Sequence, residues 1–452
     1  MSDILSIILA AGQGTRMKSD KIKVLHSVGG KPMLHHVVDS VTDFSSKILI
    51  VVGRQNNLVA DAFHDKGGIK FVVQKEQLGT GHAVQQTEDY LKDHSGVVLI
   101  LYGDTPLLTE ETIRDFISRH QEKKAACTVM TAYLESPTGY GRIIRNQSGD
   151  IERIVEEKDA NIDEKIIKEI NSGVCCFDNK RLLEALQNLD NNNAQGEYYL
   201  TDTVSFLSNK GEKVIPYLVK DSREIIGIND RINLARAEKI IRERTNQKHM
   251  KNGVTIIDPA LTYIDSEVEI GQDTIIYPFT YIEGRTRIGS HCTIYPHSRI
   301  IETEIGDFVN INDHSIIMES RLGDSTNIGP FAYIRPGCKV ASNAKIGDFV
   351  ELKKAEIGKG TKVPHLSYVG DVSIGEGTNI GAGTIFANYD GKEKYKSTVG
   401  NNVFIGSNTT IVSPIRIGNK GKTGAGSVVT KDISENTTVV GVPARLLKKK
   451  EG

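Results

Sequence analysis

The chain has 452 residues, enough for two or three domains with sizeable cores. Lys and Arg number 56 against 57 Asp and Glu, a net charge of −1 with the signs interleaved, which argues against a dedicated nucleic-acid surface. No apolar stretch approaches the ~18 residues that a membrane span needs, so no membrane insertion is expected. The five cysteines (127, 175, 176, 292 and 338) are an odd number without CxxC or Cys/His zinc spacing, so buried thiols in a reducing cytoplasm are expected. Met1-Ser2-Asp3 runs directly into a strand-like segment without a basic leader or cleavage site, which reads as no signal peptide and a cytoplasmic location. The only basic run, Lys448-Lys449-Lys450, is expected to be a solvated tail.

The first half alternates strands and helices. Residues 4–10 are an apolar strand ending in Ala11-Gly12, and a helix opens at Pro32. Residues 47–52, 70–74 and 97–102 are strand-like, with helical patterns at 56–64, 80–91 and 109–121 between and after them. This alternation predicts a mostly parallel sheet with helices on both faces. From 125 to 177 the strands shorten, as in an added substrate-side subdomain. Residues 229–250 form a helix, with Leu234, Ala237, Ile240 and Ile241 on one face, that ends at Asn252-Gly253. Domain limits of 1–228, 229–250 and 251–452 follow.

From about 254 to 441 the chain keeps a six-residue beat of an aliphatic residue followed by Gly, as at Ile270-Gly271, Ile288-Gly289, Ile328-Gly329 and Ile346-Gly347. Ile270 to Ile288 and Ile328 to Ile346 each span three full beats. The beat predicts a parallel β-helix of hexapeptide repeats, stabilised by stacking of coils. One aliphatic side chain per six points inward, and the following Gly is expected to turn the corner by its backbone freedom. Spacings that fall short of whole multiples of the beat read as deletions or loops.

Two groups of residues carry chemistry. The first begins in the loop Leu9-Ala10-Ala11-Gly12-Gln13-Gly14-Thr15-Arg16-Met17, with Lys23 behind it. Small residues at a strand-to-helix turn expose backbone N–H groups that can cradle phosphate, and Arg16 and Lys23 add two cations. It is not a GxxxxGK[ST] loop, and Met17 fills the third-glycine position of a dinucleotide fingerprint. Gln74, Gly79-Thr80 and Tyr102-Gly103-Asp104 fall at the carboxyl ends of strands, where open parallel sheets bind ligands. A strand-terminal Asp serves as a Mg2+ ligand or as a turn former, and the shared edge favours the ligand.

The second group interrupts otherwise bland repeats. Arg335 and Lys353 are three beats apart and should stack one coil above the other, on the order of 5 Å. Two stacked cations repel unless an anion joins them, which indicates a phosphate site. His365 lies two faces further round, reaching a groove shared with another face or subunit. A neutral imidazole there suits proton removal from an attacking amine, as acyl transfer from a thioester requires. Asn379 precedes a beat, and Asn388-Tyr389-Asp390-Gly391 interrupts it as a loop, with Lys394 after it.

LAAGxGTRM, Lys23–His26 (KVLH), GDTPL (103–107), GYGRI (139–143), VEEKDA (155–160) and NNAQGEYYLTD (192–202) resemble the sugar-1-phosphate nucleotidylyltransferases. Joined to a hexapeptide β-helix, the set is similar over nearly the whole chain to one bacterial family. That family is the bifunctional N-acetylglucosamine-1-phosphate uridylyltransferases and glucosamine-1-phosphate N-acetyltransferases. The resemblance implies a Rossmann-like α/β nucleotidyltransferase domain, a helical linker and an all-β left-handed parallel β-helix. It implies acetyl transfer from acetyl-CoA, then uridylyl transfer from UTP with release of pyrophosphate. The product would be UDP-N-acetylglucosamine, a precursor of peptidoglycan and lipopolysaccharide.

For the first domain the resemblance places the uracil against Leu9, Ala10, Ala11 and Gly12, with Gln74 and Gly79-Thr80, beside Tyr102 and Gly103. It places Mg2+ on Asp104 and Asn229, although Asn229 also reads as a helix cap. The sugar goes near Gly141, Glu156 and Asn171, with Arg16 and Lys23 as catalytic cations. In the repeats His365 becomes the base, and Arg335 and Lys353 hold the sugar phosphate. Tyr368, Asn379 and Lys394 hold the sugar, and acetyl-CoA lies along Ala382, Asn388-Tyr389, Ser407 and Ala425. Arg445, in Gly441-Val442-Pro443-Ala444-Arg445, stands for the CoA-contacting arginine, although this stretch departs from the family's pattern. A homotrimer with acyl sites between subunits is implied, and a long exposed flat face supports self-association. The competing readings are a uridylyltransferase whose β-helix is an oligomerisation scaffold, and a non-enzymatic nucleotide-binding assembly module. Arg335, Lys353, His365 and the NYDG loop count against the scaffold, and Asp104 with Lys23 and Arg16 against the module. Because Met17 replaces the third glycine, calorimetric titration with NAD should show no binding; saturable binding would overturn the reading of the loop.

Overall fold

The computed structural model describes residues 3–54, 56–63 and 66–447. The Lys448-Lys449-Lys450 run lies outside the described residues, as does His64 at the end of the expected 56–64 helix. The chain divides into two compact units, Met1–Ile240 and Ile241–Gly452.

Nine strands build the sheet of the first unit: β1 (Ile4–Ala10), β2 (Lys47–Val52), β3 (Ile69–Val73), β4 (Val97–Tyr102), β5 (Cys127–Tyr133), β6 (Arg142–Arg145), β7 (Ile151–Val155), β8 (Glu169–Asp178) and β9 (Val214–Leu218). The path through it is β9-β5-β8-β4-β1-β2-β3, with β6 and β7 attached beside β8. The stretch β4-β1-β2-β3 is parallel, as the alternation of strands and helices predicts. Every residue of β1 is buried, as a central parallel strand covered on both faces must be. The sheet as a whole is mixed, because β8 runs antiparallel between β4 and β5. The expected helix over 80–91 is two, Thr80–Gln85 and Glu88–Lys92. The break falls at buried Thr87, whose hydroxyl donates to the Val84 carbonyl at 2.7 Å. All five cysteines are free and buried. A long helix spans Arg231–Lys251 and buries Ala237, Ile240 and Ile241. Its start is capped by Asp230, whose carboxylate accepts from Asn233 N at 2.8 Å, so Asn229 is not the cap.

The second unit is a three-faced parallel β-helix with ladders of 12, 10 and 9 strands. Neighbouring coils pair in register, for example Ile276 with Ile294, Ile282 with Ile300 and Ile288 with Ile305. Most aliphatic beats lie in one continuous buried column per face. The hexad also has a second inward position two residues earlier, filled by small side chains such as Thr274, Cys292 and Thr326. From Ile275 onward each coil is three hexads long, or one residue shorter, until Asn379. That residue pairs with Phe404, so the coil between them is longer by more than a hexad. The extra length forms the loop around Asn388–Tyr395, closed by a bridge between Tyr389 and Lys394.

The role expected for the beat glycines holds at Gly329, φ +84°, but is corrected at most of the others. Gly289, Gly306, Gly323, Gly358 and Gly375 do not have left-handed backbone. They are small because the next coil passes against them: a Cβ on Gly358 would lie 2.5 Å from Gly375 C and 2.7 Å from Glu376 N. Left-handed φ sits further along each corner and is carried largely by other residue types, including His291, Phe308, Ser325 and Asn343, at 57° to 60°. Stacking then holds a conformation that the residue alone disfavours. Gly358→Ala should therefore cost about 1–3 kcal/mol in urea unfolding of the β-helix. Ser325→Gly should leave stability unchanged or raise it by up to about 1 kcal/mol. The reverse order would reject the close-approach explanation.

Candidate active sites

In the first unit the loop after β1 turns at Gly14, φ +64°, where a Cβ would press within 2.6 Å of Lys23 Cβ. The bare glycine lets the Lys23 stem cross the loop and reach the strand edge. There its ammonium pairs with the Asp104 carboxylate at the end of β4. It also donates to Asn229 Oδ1 at 3.1 Å, and Arg16 Nη2 donates to the same oxygen at 2.9 Å. Ile228 N donates to the Asp104 carbonyl at 2.9 Å, which fixes the segment carrying Asn229 beside the strand end. Arg16, Lys23, Asp104 and Asn229, widely separated in sequence, thus meet at one point. Asp104 and Asn229 direct oxygens at a single cationic group, so the pair is built to receive a cation. Two protein oxygens leave room for phosphate oxygens and water, the usual shell of Mg2+. The described residues contain no cluster of three or more His, Cys, Asp or Glu able to hold a metal alone.

Beside this point opens a cleft of about 920 Å³, lined by Ala10, Ala11, Gly12, Gln74 and Gln77 among others. Gln77 donates its amide to the Ala11 carbonyl, and Gln74 donates to Gly79 O at 3.0 Å. Thr80 accepts from Leu200 N at 3.1 Å. Leu9 does not line the cleft; its side chain is in the core and its carbonyl accepts from Gly103 N at 2.9 Å. Lys21 and Arg54 also line the cleft and were not singled out from sequence. Arg54 follows the end of β2, so the strand-end rule that marks Gln74 and Asp104 applies equally to it.

The expected sugar residues are brought together. Asn171 N donates to the Gly141 carbonyl at 2.9 Å, and a Cβ on Gly141 would stand 3.4 Å from Glu156 Oε2. Glu156 accepts from the Thr201 hydroxyl at 3.1 Å. The register of β8 shifts after Asn171, and Gly173 there passes against Tyr102, whose ring would lie 2.6 Å from an added Cβ. Burial holds the Glu156 carboxyl above the ordinary range. Burial, with help from Asp190, Glu156 and Asp159, pushes Asp202 up to about 6.

In the β-helix Arg335 and Lys353 do stack one coil apart, flanking the pair Ile334–Leu352. The expectation that this stack requires an external anion is corrected, because each cation has its own carboxylate. Arg335 meets Glu351 at 3.0 Å and Lys353 meets Asp371 at 2.8 Å. Asp371 also accepts from Asn388 Nδ2 at 2.5 Å, and that amide is 3.5 Å from the Tyr368 hydroxyl. Lys394 joins this group, its pKa lowered chiefly by the nearby Lys353 charge. The cations Arg335, Lys353 and Lys394 outnumber Glu351 and Asp371, so the group favours one further anion.

His365 stands on the 12-stranded face, and its Nδ1 lies 2.5 Å from Asp348 one coil below. Register carries this column upward. Lys362 pairs with Asn379, Asn379 with Phe404 and Phe404 with Lys422, so His365 is followed by Ala382, Ser407 and Ala425. Asn408 N donates to Ala382 O at 2.7 Å and Gly426 N to Ser407 O at 2.8 Å, continuing the stack. The histidine thus sits at the foot of a column of small side chains. Tyr389 is exposed on its loop. Arg445 lies at the top, in a short strand antiparallel to Thr438–Val440, its guanidinium on the Ala444 carbonyl at 3.0 Å. Asp348, Glu351 and Asp371 were not found from sequence.

A nucleotidyltransferase fold joined to a hexapeptide-repeat acyltransferase is the class that this arrangement defines. Residues 6–202 match the MobA-like NTP transferase domain. Residues 267–302 and 319–354 match the bacterial transferase hexapeptide (six repeats), and 397–431 the hexapeptide repeat of succinyl-transferase. The chain is 48% identical over 449 residues to the bifunctional protein GlmU of Acetivibrio thermocellus, covering 99% of this chain and 97% of that protein. It is 49% identical to that of Brevibacillus brevis (97% and 95% covered) and 50% identical to that of a Geobacillus species (95% and 94% covered). The chain belongs to the GlmU family, bifunctional enzymes that join uridylyl transfer and glucosamine-1-phosphate acetyl transfer in one polypeptide.

The Asp202 shift has a signed consequence. Its folded pKa, about 6, exceeds the ordinary 3.8, so ionisation works against the folded state as pH rises through that interval. Asp202→Asn should unfold at higher urea than the parent at pH 7.5, with the difference vanishing near pH 4. Equal curves at both pH values would reject the burial effect.

Proposed function

We propose that the two activities are carried by the two residue groups above, each in its own unit. Acetylation comes first. His365 takes a proton from the amino group of glucosamine-1-phosphate as its nitrogen attacks the thioester carbon of acetyl-CoA; the C–S bond breaks and CoA leaves as the thiol. Arg335, Lys353 and Lys394 hold the sugar phosphate, with Tyr368 and Asn379 toward the sugar. Acetyl-CoA lies along Ala382, Asn388-Tyr389, Ser407 and Ala425, and Arg445 reaches it from the top. The column that begins at His365 and continues through three small residues supports this reading.

The product is then uridylylated. Its phosphate oxygen attacks the α-phosphorus of UTP and pyrophosphate leaves, a step governed by positioning and charge neutralisation. Arg16 and Lys23 neutralise the phosphates, and Asp104 and Asn229 would hold Mg2+, which supplies further positive charge when bound. The cleft at Ala10–Gly12 and Gln74 takes the uracil, and Gly141, Glu156 and Asn171 take the sugar. The enzyme works as a cytoplasmic homotrimer; among the described residues no helix is long and apolar enough to cross a membrane.

The test supplies glucosamine-1-phosphate, acetyl-CoA, UTP and Mg2+ and follows CoA thiol and pyrophosphate separately. With N-acetylglucosamine-1-phosphate supplied for the second assay, Asp104→Asn should lower pyrophosphate release by about 100-fold or more and leave thiol release intact. His365→Ala should do the reverse. Equal loss of both in folded protein would reject the two-site assignment, and no thiol release from the parent enzyme would make the β-helix a scaffold.

A further inference from the structure

We propose that Asp348 is a positioning residue for His365, orienting the acetyl-transfer base and selecting its tautomer; this rests on His365 being that base. Asp348 and His365 are partners in the ladder, and their side chains meet at 2.5 Å across adjacent coils. Leu366 N donates to the Asp348 carbonyl at 2.9 Å, so the backbone on both sides of the pair is tied. A carboxylate can only accept here, which obliges Nδ1 to carry the hydrogen. The neutral ring then presents Nε2 as its proton acceptor.

Adjacency alone does not produce such a contact. His291 stands above Asp273 in the same β-helix, yet that pair is 3.9 Å apart, beyond hydrogen-bond reach. Nor does folding require the short pair. The His365 and Asp348 side chains are 52% and 35% exposed, and ion pairs in such settings contribute little stability. The imidazole is also open on the side that matters. At the next register position the coil above brings only Ala382 and Gly383, neither charged. Lys362 precedes His365 on its own strand, and the Asp348 carboxyl is held below its usual range chiefly by the His365 contact, with Lys345 adding to it.

As the amine attacks, its proton passes to Nε2 and the ring becomes a cation, whose charge Asp348 meets across the Nδ1–H bond. The imidazolium can then return that proton to the departing CoA sulfur, so the step balances without a further reagent. Removing the Asp348 carboxylate frees the ring to take the other tautomer and leaves the imidazolium unmatched, which should lower kcat.

The experiment uses full-length enzyme with Asp348→Asn, Asp348→Glu and His365→Ala, following thiol release between pH 6 and 9. Asp348→Asn should reduce kcat for acetyl transfer by about tenfold or more. KM for both substrates should stay within about twofold, and Asp348→Glu should recover part of kcat. Pyrophosphate release and urea unfolding should match the parent. Parent-like kcat in Asp348→Asn would overturn the proposal while His365→Ala still abolished thiol release. A loss that follows KM or stability would also overturn it. Retained thiol release in His365→Ala would sink the base assignment itself and this proposal with it.

Discussion

The second unit depends on one constraint: each coil must lie backbone to backbone on the one before it, in register on three faces at once. A parallel ladder leaves little room for a side chain just after the beat where the next coil crosses, although Ala341 fits between Gly323 and Gly358. Hence the glycines at Gly289, Gly306 and Gly358, whose space is filled by neighbouring coils. The same stacking holds left-handed corners at His291, Phe308 and Ser325, residues that would not choose that conformation alone. Because register is kept through the one long coil, the Asn388–Tyr395 loop is added outside the ladder without disturbing it. Chemistry on such a scaffold is written in vertical columns. Arg335 over Lys353 is one, and Asp348, His365, Ala382, Ser407 and Ala425 are another.

The first unit solves a different problem, that of gathering cations at the end of a parallel sheet. Strand ends deliver Asp104 and Gln74 to one edge, while Gly14 lets Lys23 fold across the phosphate loop. Asn229 arrives from the far end of the unit, held by the bond from Ile228 N to the Asp104 carbonyl. Gly173 is bare for a similar reason, since any side chain there would strike Tyr102.

Both sites share an electrostatic device. The cations proposed to hold phosphate are matched to carboxylates of the protein: Lys23 to Asp104, Arg335 to Glu351, Lys353 to Asp371. Pairing holds long flexible side chains in one place before substrate arrives, which lowers the ordering cost of binding. In each group one further cation, Arg16 or Lys394, leaves the balance positive. The sites are thereby organised without being neutral, which suits polyanionic substrates.

The six-residue beat determined the β-helix, because an inward position every sixth residue is a local property repeated many times. Strand-end motifs likewise marked Asp104 and Gln74, since a parallel sheet binds at one edge whatever its loops do. The tertiary structure decided what depends on register and on distant backbone contacts. Asp348 precedes His365 by one position less than three full hexads; a uniform three-hexad coil would have pointed to Gly347 instead. Glu351 and Asp371 become counter-charges, and beat glycines become contact points, only once coils are stacked. Asn229 is remote from Lys23 in the chain and passes in the sequence for a helix cap. Only the folded chain, where Asp230 caps the helix and a backbone bond draws Asn229 to the strand end, assigns each its task. Local pattern can specify what repeats; the pairing of remote segments is settled by the hydrogen bonds that join them.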